Sequence, residues 1–164
     1  MIDAGLQATL ALIVPELQLT CDDPWCLIGS AAAQLMGADV APADVDVLVS
    51  RADADRLIAR WMLQLDHAYE PTGVERFRSR FARFHFPGLP VEVMGGLELN
   101  GDEGWQPVRI SQMVLVGVNG LAVPVPSISE QIRVLESFGR TKDRQRADLL
   151  RGVCLLSPLG RGLR

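Results

Sequence analysis

The sequence predicts an α/β (α+β) protein in which helices flank a small mixed β-sheet. Short apolar runs rich in β-branched residues, such as Val45–Val49 and Val91–Met94, predict strands. Apolar residues at helical spacing, as from Leu6 to Val14, predict helices between them. The 164 residues, of which 48% are hydrophobic, suffice for one well-packed core. We therefore expect a single domain over 1–164, with its core at about 25–150.

Charge and cysteine content argue against several classes of protein. The net charge of −4 disfavours a protein that coats nucleic acid through bulk charge, although it leaves a local basic groove open. The cysteines, Cys21, Cys26 and Cys154, form no zinc pattern with the two histidines, and we interpret them as reduced thiols. No basic segment precedes the apolar N-terminus, and no run approaches the ~20 apolar residues of a spanning helix. We expect a cytoplasmic protein that does not enter a membrane.

The first predicted helix covers Leu6 to Val14 and ends near Pro15. A turn at Cys21–Pro24 then leads into a short apolar strand at Cys26–Ile28. This strand ends at Gly29-Ser30, and a small-residue helix over Ala31–Met36 follows. At such a strand-to-helix junction, Gly29 and Ser30 offer free backbone N–H groups and a hydroxyl, which favour an anion.

Two aspartates mark the next predicted strand, Val45–Val49. Asp44 and Asp46 are two residues apart, so both carboxylates emerge on one face while Val45 and Val47 take the other. Like charges this close repel unless a cation lies between them, and oxygen ligands of this kind suit Mg²⁺ together with substrate phosphates. Phosphate bound by Gly29-Ser30 and metal bound by the aspartates would form a triphosphate site.

The following helix is predicted to open with Ser50 and Asp53, a pair resembling a capping box. Its apolar face is formed by Leu57, Ile58, Trp61 and Leu65. At this spacing Trp61 is favoured as a core residue over a stacking platform for a base.

Residues 74–94 are predicted to form an antiparallel pair of strands around a break at Pro87-Gly88. The first strand interleaves phenylalanines with a row of arginines, Arg76, Arg78, Arg80 and Arg83. A solvated outer face is the favoured interpretation of this row. Steering of a polyanionic acceptor such as RNA is the alternative.

Glu92 lies between Val91 and Val93 on the second of these strands. Because burying a lone acid among apolar residues is costly, this position indicates a specific role for the carboxylate. It is predicted to complete the acidic cluster with Asp44 and Asp46. A surface glutamate on an edge strand is the competing interpretation.

The C-terminal third begins with a polar, glycine-rich loop over Gly95–Trp105. A hairpin from Val114 to Val125 is then predicted around Asn119-Gly120. Ser127 and Glu130 open the next helix by the capping-box rule, and Gly139 ends it.

The last helix is predicted to be capped by Thr141, and residues 157–164 after it to form a loose tail. Lys142 and Arg146 are one turn apart and could hold phosphate. Alternatively, this helix could be stabilised by ion pairs between its own residues, namely Arg144 with Asp148 and Asp143 with Arg146.

The order of these motifs resembles a known family. Gly29-Ser30 after a strand, a short helix and then Asp44-x-Asp46 are similar to the nucleotidyltransferase fold of the DNA polymerase β superfamily. The nearest resemblance is to small bacterial stand-alone nucleotidyltransferases, some of which inactivate antibiotics and some of which act as toxins. Pro90-Val91-Glu92-Val93 matches the strand of the third carboxylate, with glutamate where aspartate is commoner, and Arg140-x-Lys142-Asp143 matches the closing motif. An ordinary βαβ unit with two solvent-facing aspartates is the alternative.

The resemblance implies Mg²⁺-dependent (or Mn²⁺-dependent) transfer of a nucleoside monophosphate from a nucleoside triphosphate to an acceptor hydroxyl. The acceptor could be a small molecule, RNA or protein, with nucleic acid not favoured. Asp44, Asp46 and Glu92 would hold metal and act in catalysis, while Gly29, Ser30 and Lys142 would hold the phosphates.

Two features of the sequence depart from the family's pattern and argue against an active enzyme. Val40 and Pro42 stand where related enzymes often carry Arg-x-Thr, and no separate acceptor-binding domain is visible. A homodimer or a protein partner would then help to hold the acceptor. The rival hypothesis is a catalytically inactive domain that binds nucleotide or a protein partner, as in a toxin–antitoxin-like pair.

Overall fold

The computed structural model describes residues 1–156, so the tail predicted at 157–164 lies outside the described residues. The helices are α1 (Ala4–Thr20), α2 (Gly29–Leu35), α3 (Arg51–Arg60), α4 (Ile128–Phe138) and α5 (Thr141–Leu156). The strands are β1 (Cys26–Ile28), β2 (Val45–Val49), β3 (Phe77–Phe84), β4 (Val91–Gly101), β5 (Gly104–Pro107), β6 (Met113–Val118) and β7 (Leu121–Pro126). None of the helices described is both long and apolar enough to cross a bilayer.

The main sheet is mixed, as predicted. Its strand order is β1-β2-β4-β3, with β5 paired to the end of β4. Strands β2 and β4 run parallel, and every other pair in the sheet is antiparallel. The antiparallel pairing of β1 with β2 excludes the alternative of an ordinary βαβ unit, whose strands would be parallel.

The parallel register of β2 and β4 positions the acidic residues. It pairs Asp46 with Glu92, while Val45 and Val47 pair with Val91 and Val93. The four valines are completely buried and share one apolar cluster with residues of α1, whose Leu6, Leu10, Ile13 and Leu17 are also completely buried. Because side chains alternate along a strand, burial of the valines turns the acids to the opposite face.

The chain on either side of α3 confirms two predictions. Ser50 Oγ accepts a hydrogen bond from the Asp53 N–H, as expected of a helix cap. Trp61 is buried and packs edge-on against the rings of Phe84 and Phe86, at centroid distances of 5.2 and 5.0 Å. Trp61 is therefore a core residue.

The prediction of a glycine-rich loop over Gly95–Trp105 was wrong. Strand β4 continues to Gly101 and turns directly into β5. Gly95 lies under α3, where an added Cβ would approach the Ala54 Cβ to 2.5 Å and the Arg51 Cα to 3.1 Å. The glycine here serves close packing of a helix on a strand.

The C-terminal elements agree with the predictions except at the start of α5. Asn119 and Gly120 have φ of 48° and 82° and connect β6 to β7 in the predicted hairpin. Gly139, with φ of 71°, ends α4. Thr141 does not cap α5: the buried Asp143 carboxylate accepts the Arg140 N–H and two guanidinium hydrogen bonds from the same arginine.

The packing of Gly95 leads to a stability prediction. Gly95→Ala should lower the free energy of unfolding by about 1–3 kcal/mol, because the new methyl group forces α3 away from β4. Gly117→Ala is the matched control, since a Cβ on this β6 glycine would meet no atom within 4 Å. Urea denaturation of both variants measures the difference, and equal stabilities would contradict this account of the helix–strand contact.

Candidate functional site

A cavity of about 520 Å³ opens on the face of the sheet that carries the acids. Residues from β2, β3 and β4 form its floor, and the end of α4 with the start of α5 forms a wall. All six residues predicted for the site line this cavity, namely Gly29, Ser30, Asp44, Asp46, Glu92 and Lys142. The fold thus brings together residues that are up to 113 positions apart in the sequence.

Three carboxylates converge in this cavity. Asp44, Asp46 and Glu92 each place one carboxylate oxygen within 4.8 Å of the others. All three side chains are partly buried, which excludes the alternative of two solvent-facing aspartates. Glu92 is likewise far from an ordinary surface residue, because its side chain is only 13% exposed on a central strand.

Burial and mutual repulsion both oppose ionisation of this cluster. Loss of water raises the pKa of Asp46 to about 8, and the nearby charges of Asp44 and Glu92 add to the effect. Burial likewise raises the pKa of Glu92 to about 7, and the proximity of the Asp44 carboxylate adds to the effect. The three groups therefore hold their charges best when a cation lies among them.

Gly29, at the junction of β1 and α2, lies close to the side chain of Asp46 on β2. Gly29 has φ of +70°, and a Cβ there would lie 2.7 Å from the Asp46 Oδ2. A residue with a side chain is therefore strained at this position and would displace the carboxylate. Ser30, the next residue, is buried and borders the cavity.

Lys142 and Arg146 supply positive charge from the cavity wall that α5 forms. Both line the cavity, and both lower the pKa of Asp46 by proximity. Among the described residues, neither makes an ion pair within 4.0 Å. The alternative pairs of Arg144 with Asp148 and of Asp143 with Arg146 are not formed, because Asp143 binds Arg140 and Asp148 binds Arg151.

The arginines of the predicted row that lie in β3 divide between its two faces, which was not predicted. Arg78 and Arg80 pair with Glu98 and Asp55, in agreement with the favoured interpretation of an outer, solvated face. Arg83 instead lies opposite Glu92, on the face of the sheet that carries the acids, and donates to Glu92 Oε1 at 3.0 Å. The spacing of the arginines indicates this division. Arg80 and Arg83 are an odd number of residues apart, so their side chains point to opposite faces of the strand.

Aromatic side chains form the apolar side of the cavity, and they too escaped the sequence analysis. They are Tyr69, Phe77, Phe81 and Phe138. Tyr69 stacks on Phe81, and Phe77 packs edge-on against Phe138. Such flat apolar faces suit a planar ring in a ligand.

Val40 and Pro42 bring no charge or hydroxyl to the mouth of the cavity. Val40 packs on the apolar cluster around Ala38, and Pro42 is buried. The lining at this point consists of Ala41 and Ala43.

The raised pKa of Asp46 leads to a prediction of pH dependence. Since the folded pKa exceeds the ordinary 3.8, the folded chain binds more protons than the unfolded chain, and stability falls as the pH rises from about 4 to about 8. Without metal, Asp46→Asn should therefore raise the free energy of unfolding at pH 5, and raise it by at least about 1 kcal/mol more at pH 8.

Urea denaturation with a chelator present, at several pH values, measures this difference. Asp102→Asn, which changes an exposed aspartate in the β4–β5 turn, is the control and should follow the wild type. A gain in stability that is equal at pH 5 and pH 8 would contradict the electrostatic explanation.

Comparisons with known proteins bear on the fold. No family model matches the sequence, and no curated protein matches it. A solved structure from Thermotoga maritima, provisionally assigned as a nucleotidyltransferase, is 22% identical with a TM-score of 0.74, over 93% of this chain and 94% of that chain.

Two further solved structures are similar at lower identity. The lincosamide antibiotic adenylyltransferase LnuA, bound to lincomycin, is 10% identical with a TM-score of 0.58, over 88% of this chain and 95% of that one. The antibiotic-resistance factor ANT(2'')-Ia is 14% identical with a TM-score of 0.53, over 95% of this chain and 93% of that one. The chain therefore has the nucleotidyltransferase fold.

Proposed function

We propose that this protein transfers a nucleoside monophosphate from a nucleoside triphosphate to an acceptor hydroxyl. The observation that carries the proposal is the convergence of Asp44, Asp46 and Glu92 within 4.8 Å, in the same cavity as Lys142 and Arg146. Acids on the floor of the cavity and cations on the wall formed by α5 match the needs of a metal-bound triphosphate. The shared fold with adenylyltransferases supports the same chemistry.

The donor set fits a divalent metal ion. All three groups offer oxygen ligands, which suit Mg²⁺ or Mn²⁺ and not the softer metals. Asp44 and Asp46 would hold the ion, with Glu92 within reach as a third ligand or as a base. When bound, such an ion would act as a Lewis acid and stabilise the charge that develops on the transferred phosphoryl group.

The other residues bind and orient the substrates. Gly29 and Ser30 hold the phosphates against the start of α2, while Lys142 and Arg146 neutralise them from α5. Glu92 accepts the proton of the acceptor hydroxyl, whose oxygen then bonds to the α-phosphorus while pyrophosphate leaves. A pKa near 7 suits this role, because such a base is available at neutral pH.

The acceptor is proposed as a small molecule with a flat apolar part, which the aromatic wall can hold. RNA is less favoured, since Arg78 and Arg80 are already paired with acids. LnuA, which has a similar fold, is a lincosamide antibiotic adenylyltransferase solved with lincomycin bound.

Val40 and Pro42 favour a second candidate function, that of an inactive domain which binds nucleotide or a protein partner. Neither side chain supplies the cation or hydroxyl of Arg-x-Thr at the mouth of the cavity. Incubation with labelled triphosphates and a cell extract separates the two, since an active enzyme must transfer label to an acceptor and an inactive domain cannot.

Metal-dependent binding is the first prediction of the favoured function. Mg²⁺ should increase the affinity for a non-hydrolysable ATP analogue at least tenfold, and Asp44→Asn or Asp46→Asn should each abolish this increase. Isothermal titration calorimetry with and without Mg²⁺ measures it. Asp102→Asn is the control and should behave as wild type. Full Mg²⁺-dependent affinity in both site variants would place the metal elsewhere.

The role of Glu92 as a base gives a second prediction. Glu92→Gln should lower kcat by about 10²–10⁴-fold, whereas the affinity for Mg²⁺-ATP should change less than about threefold. Pyrophosphate release, with the acceptor found in the extract experiment, reports kcat. Glu98→Gln, on the same strand but paired with Arg78 outside the cluster, should leave both quantities near wild type. Equal losses in kcat and affinity would mean that Glu92 serves binding instead.

A further inference from the structure

The side chain of Arg83 lies beside the acidic cluster. Its Nη1 is 3.0 Å from Glu92 Oε1 and 3.8 Å from Asp44 Oδ2, so one nitrogen lies near two of the three carboxylates. No ion pair within 4.0 Å joins it to Asp46 in the described residues. The guanidinium therefore occupies one side of the cluster, between Asp44 and Glu92.

Several contacts hold Arg83 in this position. Arg83 is directly opposite Glu92 in the antiparallel register of β3 and β4. Its guanidinium carbon lies 4.7 Å from the centre of the Tyr69 ring, and Tyr69 itself stacks on Phe81. The side chain is only 19% exposed, so the ion pair with Glu92 is weakly screened by solvent.

The position of Arg83 bears on how many metal ions the cluster can take. In a two-metal site, the ions lie about 3.5–4 Å apart and share carboxylate ligands. A second ion here would need Asp44 and Glu92 together, and the guanidinium already lies between them. With all three acids ionised, Arg83 leaves the cluster with two net negative charges, which a single divalent ion neutralises.

We infer that Arg83 takes the place of a second divalent cation, so that the site binds one ion, on Asp44 and Asp46, and Glu92 stays free of metal. This inference rests on the proposed function, because it presumes that Asp44 and Asp46 hold a metal. Arg83 is then a positioning residue: it orients Glu92 towards the acceptor hydroxyl and keeps metal off its carboxylate.

Counting bound Mn²⁺ tests the inference without any assay of turnover. The full chain is titrated with Mn²⁺ alone, and bound ions are counted by electron paramagnetic resonance, which also detects magnetic coupling between two ions that lie close together. Wild type should bind one uncoupled ion per chain. Arg83→Met, which keeps the length of the side chain but removes its charge, should bind two coupled ions.

Two variants serve as controls. Arg83→Lys retains a cation and should keep one ion per chain. Arg80→Met removes the arginine of the same strand that pairs with Asp55 on the other face, and should also keep one. In a separate measurement, Glu92→Gln should change the affinity for the single Mn²⁺ less than about threefold, because Glu92 is not a ligand.

Each contrary outcome has a distinct meaning. Two coupled ions in wild type, a single ion in folded Arg83→Met, or a tenfold loss of Mn²⁺ affinity in Glu92→Gln would overturn the inference and leave the proposed function standing. No binding of Mn²⁺ to wild type would overturn both. Because the wild-type count and the Glu92→Gln affinity do not depend on Arg83→Met folding, they decide the question even if that variant is unstable.

Discussion

The alternation of buried valines and cavity-facing acids on β2 and β4 is the constraint on which the site depends. Val45, Val47, Val91 and Val93 are completely buried in the main apolar core, and this burial sets the parallel register of the two strands. A slip of one residue would expose these valines and bury the acids, at a large cost in free energy. The core therefore forces Asp46 and Glu92 to lie side by side, in spite of their repulsion.

This arrangement stores unfavourable electrostatic energy in the folded chain. The raised pKa values of Asp46 and Glu92 express it, and Arg83, Lys142 and Arg146 offset part of it. The cations differ in how tightly they are held. Arg83 is fixed by Glu92 and Tyr69, whereas Lys142 and Arg146 make no ion pair among the described residues and remain available to a substrate phosphate.

Local patterns predicted much of the fold because local interactions determine those features. The Ser50 and Ser127 caps, the Asn119-Gly120 turn and the end of α4 at Gly139 all depend on neighbours within a few residues. The prediction at Gly95 failed because a distant element decided the outcome. Gly95 suggested a loop because glycine is common in turns, yet it lies in a strand that passes closely beneath α3.

The sequence by itself predicted that Asp44 and Asp46 lie on one side of the chain, because they are two residues apart where a strand begins, and it placed Gly29-Ser30 at a helix start. Only the tertiary structure decided that Glu92 and Arg83 join them. Both positions follow from pairing between strands far apart in sequence, which depends on burial across the whole sheet and not on any local pattern. The odd spacing of Arg80 and Arg83 shows that they face opposite ways, but the packing of α1 and α3 decides which face becomes the cavity.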